Sequence, residues 1–109
     1  MAIKQCLLTG CTGFIGRHIL QALLNRDIAV RGLTRMSPDE ASGVLPDKVD
    51  IFHGNLAIPS SLQGVAAGID TVIHAAGYAH ALGSNTELHR KTTIDGTRNL
   101  LAAAEKHGA

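Results

Sequence analysis

The sequence has no tryptophan, one tyrosine and two phenylalanines, so aromatic residues make up only 3% of its 109 positions. Modules that stack nucleobases on aromatic platforms need more rings than Phe14, Phe52 and Tyr78 supply. An excess of one charge is lacking too: ten Lys and Arg stand against nine Asp and Glu, for a formal net charge of +1. Without a block of like charge, the electrostatic footprint of a nucleic-acid binder is missing. No apolar run approaches the roughly 18 residues that a membrane span needs. The opening residues carry one lysine before a short apolar run, too little for the core of a secretory signal. Only two cysteines occur, Cys6 and Cys11, too close together for a disulfide framework. The expectation is a soluble, cytoplasmic chain with free thiols, binding neither nucleic acid nor membrane.

What is present is 45% hydrophobic residues, 17% charged residues and 12 glycines, in a length that suits one domain. Leu, Ile, Val, Ala and Gly dominate, a composition fit for closely packed parallel strands and helices. Ile3 to Leu8 reads as a strand buried on both faces. From Phe14 to Asn25 the apolar residues Ile15, Ile19, Leu20, Leu23 and Leu24 recur at helical spacing. Ile28 to Leu33 is a second strand, followed by a loop from Thr34 to Lys48 with a helical turn near Pro38 to Ala41. Val49 to His53 makes a third strand, and Pro59 opens a short helix running to Gly68. Asp70 to Ala76 is a fourth strand, then a small-residue loop spans Gly77 to Ser84. A long helix follows from about Asn85 to His107, where Gly96 signals close packing. Strands alternating with helices require crossovers, hence an α/β fold with a parallel sheet covered by helices on both faces.

The segment Thr9-Gly10-Cys11-Thr12-Gly13-Phe14-Ile15-Gly16 joins the first strand to the first helix. A helix N-terminus exposes unpaired N–H groups and a partial positive charge, and so holds an anion such as a pyrophosphate. Gly10 permits the tight turn, Gly13 lets a ligand reach the backbone, and Gly16 lets the helix pack on the strand. The spacing is G-x-x-G-x-x-G, and no Gly-Lys-Ser/Thr follows to make a P-loop. A strand before and a helix after these glycines point to dinucleotide binding. An acidic residue at the end of the second strand would select the ribose of NAD, whereas arginine suits the 2′-phosphate of NADP. Here Arg31-Gly32-Leu33-Thr34-Arg35 has no acid, and Arg35 lies past the strand's carboxyl end, where ligands bind. NADP is therefore expected over NAD.

With these motifs in place the chain resembles the extended short-chain dehydrogenase/reductase superfamily, in its NAD(P)-dependent epimerase/dehydratase group. The resemblance runs through Thr9-Gly10-x-x-Gly13-Phe14-Ile15-Gly16, Gly54-Asn55-Leu56, Val72-Ile73-His74-Ala75-Ala76-Gly77 and Asp95-Gly96-Thr97-Arg98-Asn99-Leu100-Leu101. His74 to His80 (HAAGYAH) looks most like the nucleotide-sugar 4-epimerase and 4-ketoreductase branch. The resemblance implies a doubly wound (Rossmann) sheet, here incomplete, with four strands in the order 3-2-1-4. It implies that Gly10, Thr12, Gly13, Phe14, Ile15 and Gly16 form the pyrophosphate loop, with Arg35 at the 2′-phosphate. Asn55 and Leu56 would cover the adenine, Asn55 standing where the family usually has Asp. Ala75, Ala76 and Gly77 would line the ribose and nicotinamide side, and Thr93 stands where the family commonly has Asn.

In the superfamily, catalysis rests on a Ser or Thr and a Tyr-x-x-x-Lys pair, the tyrosine moving a proton at the substrate oxygen. The lone tyrosine, Tyr78, has no lysine four positions on, so no catalytic residue is assigned within these 109 residues. The resemblance thus implies the amino-terminal, cofactor-binding part of a longer oxidoreductase or epimerase, inactive alone and homodimeric when whole. The alternative is a non-catalytic dinucleotide-binding sensor or assembly module of the same fold. His74, His80 and Cys11 lack the compact spacing of a metal site, and no metal is expected. Cys11 is expected as a tolerated loop position beside the cofactor.

Overall fold

The computed structural model describes residues 3–76 and 86–108, the second segment with side chains from Thr93 onward. The elements are β1 (Gln5–Thr9), α1 (Phe14–Asn25), β2 (Ala29–Thr34), α2 (Pro38–Ser42), β3 (Asp50–His53), a 3-10 turn (Pro59–Leu62), β4 (Thr71–His74) and α3 (Thr86–Glu105). The four strands form one parallel sheet in the order β3-β2-β1-β4, as the resemblance implies. The small-residue loop expected over Gly77 to Ser84 lies outside the described residues.

Alternation along β1 divides the core in two. Cys6 and Leu8 face one side, where they meet Leu20 and Leu23 of α1 with Ala41, Leu45 and Val49. Leu7 faces the other side, where Leu62, Val65, Ala66, Ile69 and Leu100 cover the sheet. Helices therefore cover both faces, and the central strand is buried on both.

Differences from the sequence reading are local. The helix expected from Pro59 to Gly68 is a single 3-10 turn, because Gln63 is extended and Gly64 and Gly68 take positive φ. The second strand begins at Ala29 because α1 ends in a Schellman arrangement. There the Ile28 and Asp27 N–H groups bond back to the Leu23 and Leu24 carbonyls, with Asp27 at φ 58°.

At the amino-terminal end of the sheet, Asp70 joins β1 to β4. Its carboxylate accepts the Gln5 N–H at 2.8 Å, the Lys4 N–H at 3.0 Å and the Thr71 hydroxyl at 2.7 Å. These bonds, the Gln5 one foremost, hold its carboxyl below the usual carboxylate range. A depressed folded-state pKa adds stability above the unfolded-state value, about 3.9, and that stability is lost as pH falls through the folded value. Asp70→Asn is therefore expected to melt earlier than wild type at pH 7, with the gap closing below about pH 4. Thermal melts across pH check this; a gap independent of pH contradicts it.

Among the described residues β4 pairs with β1 alone, leaving its other edge open. Unpaired strand edges template association, so the 109-residue chain alone is expected to aggregate or melt broadly. A monomer with a sharp thermal transition and no added nucleotide would contradict this.

Candidate functional site

The register sets where a site can form. Thr9 lies beside Leu33 and His74, and Thr34 lies beside His53, so the four strands end nearly level. The segments that leave this edge are the glycine loop, Arg35, Gly54-Asn55-Leu56 and Ala75-Ala76. The sheet order turns between β1 and β4, and crevices at such switch points, outside the strands' carboxyl ends, are where open α/β sheets bind ligands.

The three motif glycines do different work. Gly10 has φ 70°, and a Cβ there would lie 2.7 Å from Ala75 C and Ala76 N. A Cβ on Gly16 would overlap the Gly10 carbonyl, so the first turn of α1 rests directly on the loop. Gly13 has an ordinary φ of −81°, and its Cβ would meet nothing closer than Gly10 O at 3.4 Å. The fold requires glycine at positions 10 and 16, whereas a methyl at position 13 would make only one ordinary contact, with Gly10 O.

Gly13 is the N-cap of α1, and no side chain caps it. The Gly13 N–H bonds Gly10 O at 3.0 Å and the Arg17 N–H bonds Gly13 O at 2.9 Å. The N–H groups of Phe14, Ile15 and Gly16 find no partner among the described residues, the arrangement by which helix N-termini can take up anions. Phe14 and Ile15 are 74% and 66% exposed at its rim, and Thr12 is half-buried beside it.

The two arginines in and just beyond β2 separate cleanly. Arg31 is structural: it pairs with Asp50 at 2.8 Å and donates to the Val65 and Ala67 carbonyls. Arg35 is exposed and bonds no other described residue. A few residues on, Ser37 caps α2, its Oγ accepting the Glu40 N–H and donating to the Glu40 carboxylate. Asn55 forms a local turn, its Oδ1 accepting the Ala57 N–H at 2.9 Å, while its own N–H bonds the Ser61 hydroxyl. One lone pair of Oδ1 and the Nδ2 group remain for a ligand. Leu56 packs against Gly96, where an added Cβ would lie 3.3 Å from Leu56 Cβ, and Asn99 Nδ2 donates to its carbonyl. The close approach expected at Gly96 is thus made on Leu56. Thr93 is exposed on α3, and Gly77 lies outside the described residues.

Ala75 and Ala76 are held by a residue that sequence reasoning did not place in the site. Thr9 Oγ1 accepts both of their N–H groups, each at 3.1 Å. His74 bridges Thr9 and α3, its Nδ1 at 2.6 Å from Thr9 Oγ1 and its Nε2 at 3.0 Å from Thr97 Oγ1. Burial keeps the His74 pKa below the usual histidine value. Cys11 is fully buried, its Sγ against Gly32 and directed to the Leu33 carbonyl. It belongs to the core and is not a tolerated loop position, because β2 leaves room for it at Gly32. Burial pushes the thiols of Cys6 and Cys11 up, so both are poor nucleophiles.

The sequence profile of the NAD dependent epimerase/dehydratase family matches residues 6–109. The chain belongs to this family. It is 37% identical over 100 residues to a 4-hydroxy-2-methyl-3-oxo-4-farnesyl-3,4-dihydroquinoline-1-oxide ketoreductase of Stigmatella aurantiaca, covering 92% of this chain and 29% of that protein. It is 33% identical to a 2-alkyl-3-oxoalkanoate reductase of Stenotrophomonas maltophilia, covering 95% of this chain and 30% of the relative. The UDP-glucose 4-epimerase of Thermus thermophilus, solved with NAD, superimposes with a TM-score of 0.81 at 28% identity, over 95% of this chain and 34% of that one. The chain thus spans about a third of these relatives. The family's NAD(P) suits the edge described above: three N–H groups without a partner among the described residues, a Gly13 where a side chain would crowd that helix start, and Arg35 beyond β2, which bonds no other described residue. No helix among the described residues is long and apolar enough to cross a membrane.

Thr9 and Thr97 stand in the motifs that carry the resemblance, but the sequence assigned no role to either. Their signal was faint: a hydroxyl at the last position of a buried strand, and Thr93 and Thr97 one helical turn apart.

Proposed function

We propose that this chain is the dinucleotide-binding part of an NADP-preferring oxidoreductase, which moves a hydride between cofactor and a ketone or secondary alcohol of its substrate. The observation that carries the reading is the uncapped start of α1 opening on Gly13, with Arg35 beyond β2. The first holds a pyrophosphate, and Arg35 supplies a charge-assisted partner for a 2′-phosphate. Around these, Asn55 and Leu56 would face the adenine end, and Ala75, Ala76, Gly77 and Thr93 the nicotinamide end. When bound, the dinucleotide supplies or accepts the hydride. Proton transfer at the substrate oxygen falls to a Tyr-x-x-x-Lys pair that these 109 residues lack, so they bind cofactor and turn nothing over by themselves. The parent acts as a homodimer in the cytoplasm, where the free, buried thiols stay reduced.

For the substrate, the keto-compound reductases among the relatives favour a carbonyl on a largely apolar molecule. A nucleotide sugar is the second reading, favoured by the likeness to the 4-epimerase. Offering the intact protein a 2-alkyl-3-oxoalkanoate with NADPH, and a UDP-sugar with the oxidised cofactor, separates the two.

Arg35→Ser tests the cofactor preference. Loss of a charge-assisted bond of about 1.5–3 kcal/mol should weaken NADPH binding roughly 10- to 100-fold and leave NADH within about threefold. Equal losses for both cofactors would contradict the assignment.

A further inference from the structure

We infer that His74 is a positioning residue: a neutral imidazole with its proton on Nε2, it links α3 to Thr9 and thereby holds the Ala75-Ala76 backbone against the Gly10 turn. The geometry stands alone; its consequence for cofactor rests on the dinucleotide reading above.

Counting donors and acceptors fixes every bond direction. Thr9 Oγ1 accepts the N–H groups of Ala75 and Ala76, which occupies both of its lone pairs. Its own proton must then go to His74 Nδ1, 2.6 Å away. At the other side of the ring, Thr97 Oγ1 donates to Thr93 O at 2.8 Å and so receives the proton of His74 Nε2 at 3.0 Å. The ring is therefore the Nε2–H tautomer, set by the two hydroxyls. Thr9 is 1% exposed, so water cannot replace a lost partner easily.

A protonated ring does not fit this chain. A hydrogen on Nδ1 would point at a Thr9 oxygen with no lone pair left, so a backbone N–H bond to Ala75 or Ala76 would have to break. No described charged side chain stabilises the cation. Lys4 and Asp70, just before β1 and β4, lie at the opposite end of the sheet, and on α3 Asp95 and Arg98 pair with each other at 3.8 Å. The lowered pKa of the buried ring agrees with this. Since Ala75 and Ala76 lie within 3 Å of where a Gly10 Cβ would sit, releasing them loosens the wall of the loop. One lost hydrogen bond corresponds to a roughly five- to tenfold loss of ligand affinity.

The test uses the intact protein, with NAD as probe because it lacks the titrating 2′-phosphate. The NAD dissociation constant and the amide exchange of Ala75 and Ala76 without ligand are measured across pH 4.5–8 (about one histidine titration range either side of the usual value). In wild type, affinity should fall about five- to tenfold at acid pH, with the two amides losing protection over the same interval. His74→Asn places an oxygen near the Nδ1 position, cannot titrate and gives up the Thr97 bond; it should bind NAD more weakly than wild type at neutral pH, less impaired than His74→Leu, and lose the acid dependence. His74→Leu removes the acceptor and should bind NAD five- to tenfold more weakly at every pH. An acid loss that persists in His74→Asn, or a His74→Leu variant that binds and protects like wild type, overturns the inference. If wild type binds neither NAD nor NADPH, the proposed function fails, and amide protection across the three proteins still decides the role of His74.

Discussion

Gly16→Ala is expected to leave little folded protein. The added methyl would occupy the position of the Gly10 carbonyl oxygen, an atom of the main chain that no side-chain rotation can move aside. Gly10 cannot yield either, because it is pressed against Ala75 and Ala76 on its other side and sits at φ 70°. Relief would require sliding α1 along the sheet, away from the contacts Leu20 and Leu23 make with Cys6 and Leu8. Overpacking typically costs about 1–3 kcal/mol. Two backbone segments without slack put this site above that range, at about 4 kcal/mol or more, a large share of a domain's 5–15 kcal/mol. Circular dichroism and soluble yield report the outcome. A variant melting within a few degrees of wild type would mean that Gly16 is not a packing glycine.

Gly13→Ala, three residues earlier, should do the reverse. Its backbone conformation is open to any residue, and the new methyl would touch only Gly10 O, at 3.4 Å. Exchanging glycine for alanine at an N-cap costs about 0.5–1 kcal/mol, so the thermal midpoint should fall by only a few degrees. Binding should suffer heavily, because the methyl projects where a pyrophosphate must approach the Phe14, Ile15 and Gly16 N–H groups. Losing charge-assisted bonds there predicts a drop in NADPH affinity of about 10- to 100-fold. Isothermal titration beside a thermal melt separates the two effects. A folded Gly13→Ala protein with unchanged affinity would contradict the placement of the phosphates. The pair matters more than either variant: neighbouring glycines of one motif should fail in different assays.

The larger elements were legible because they rest on local rules. Alternating burial and the switch to helical spacing at Phe14 define β1 and α1, and α1 has the same bounds in sequence and structure. Strand–helix alternation led to the parallel sheet, while its order came with the family resemblance. What stayed hidden depends on contacts between distant residues. Thr9 and His74 are 65 positions apart and His74 and Thr97 are 23 apart, so no window of sequence displays their chain of bonds. Cys11 read as a loop residue because nothing local reveals the space that Gly32 leaves above it. Pro59 correctly signalled a helix start, yet the helix stops after one turn at an extended Gln63, a choice made by packing of Leu62 into the second core. Position past the strand's end singled out Arg35 in sequence, but that Arg31 is a clamp on Asp50 and two carbonyls was not visible there.

The central claim is that the start of α1 and the carboxyl edge of the sheet hold a phosphorylated dinucleotide. The most direct measurement follows the backbone amides of the intact protein while NADPH is titrated in. The account predicts that the Phe14, Ile15 and Gly16 amides move furthest, saturably, together with those of Arg35, Asn55 and Ala76. Saturable binding that leaves those three helix-start amides unmoved, or that shifts only the outer face of α3, would contradict it.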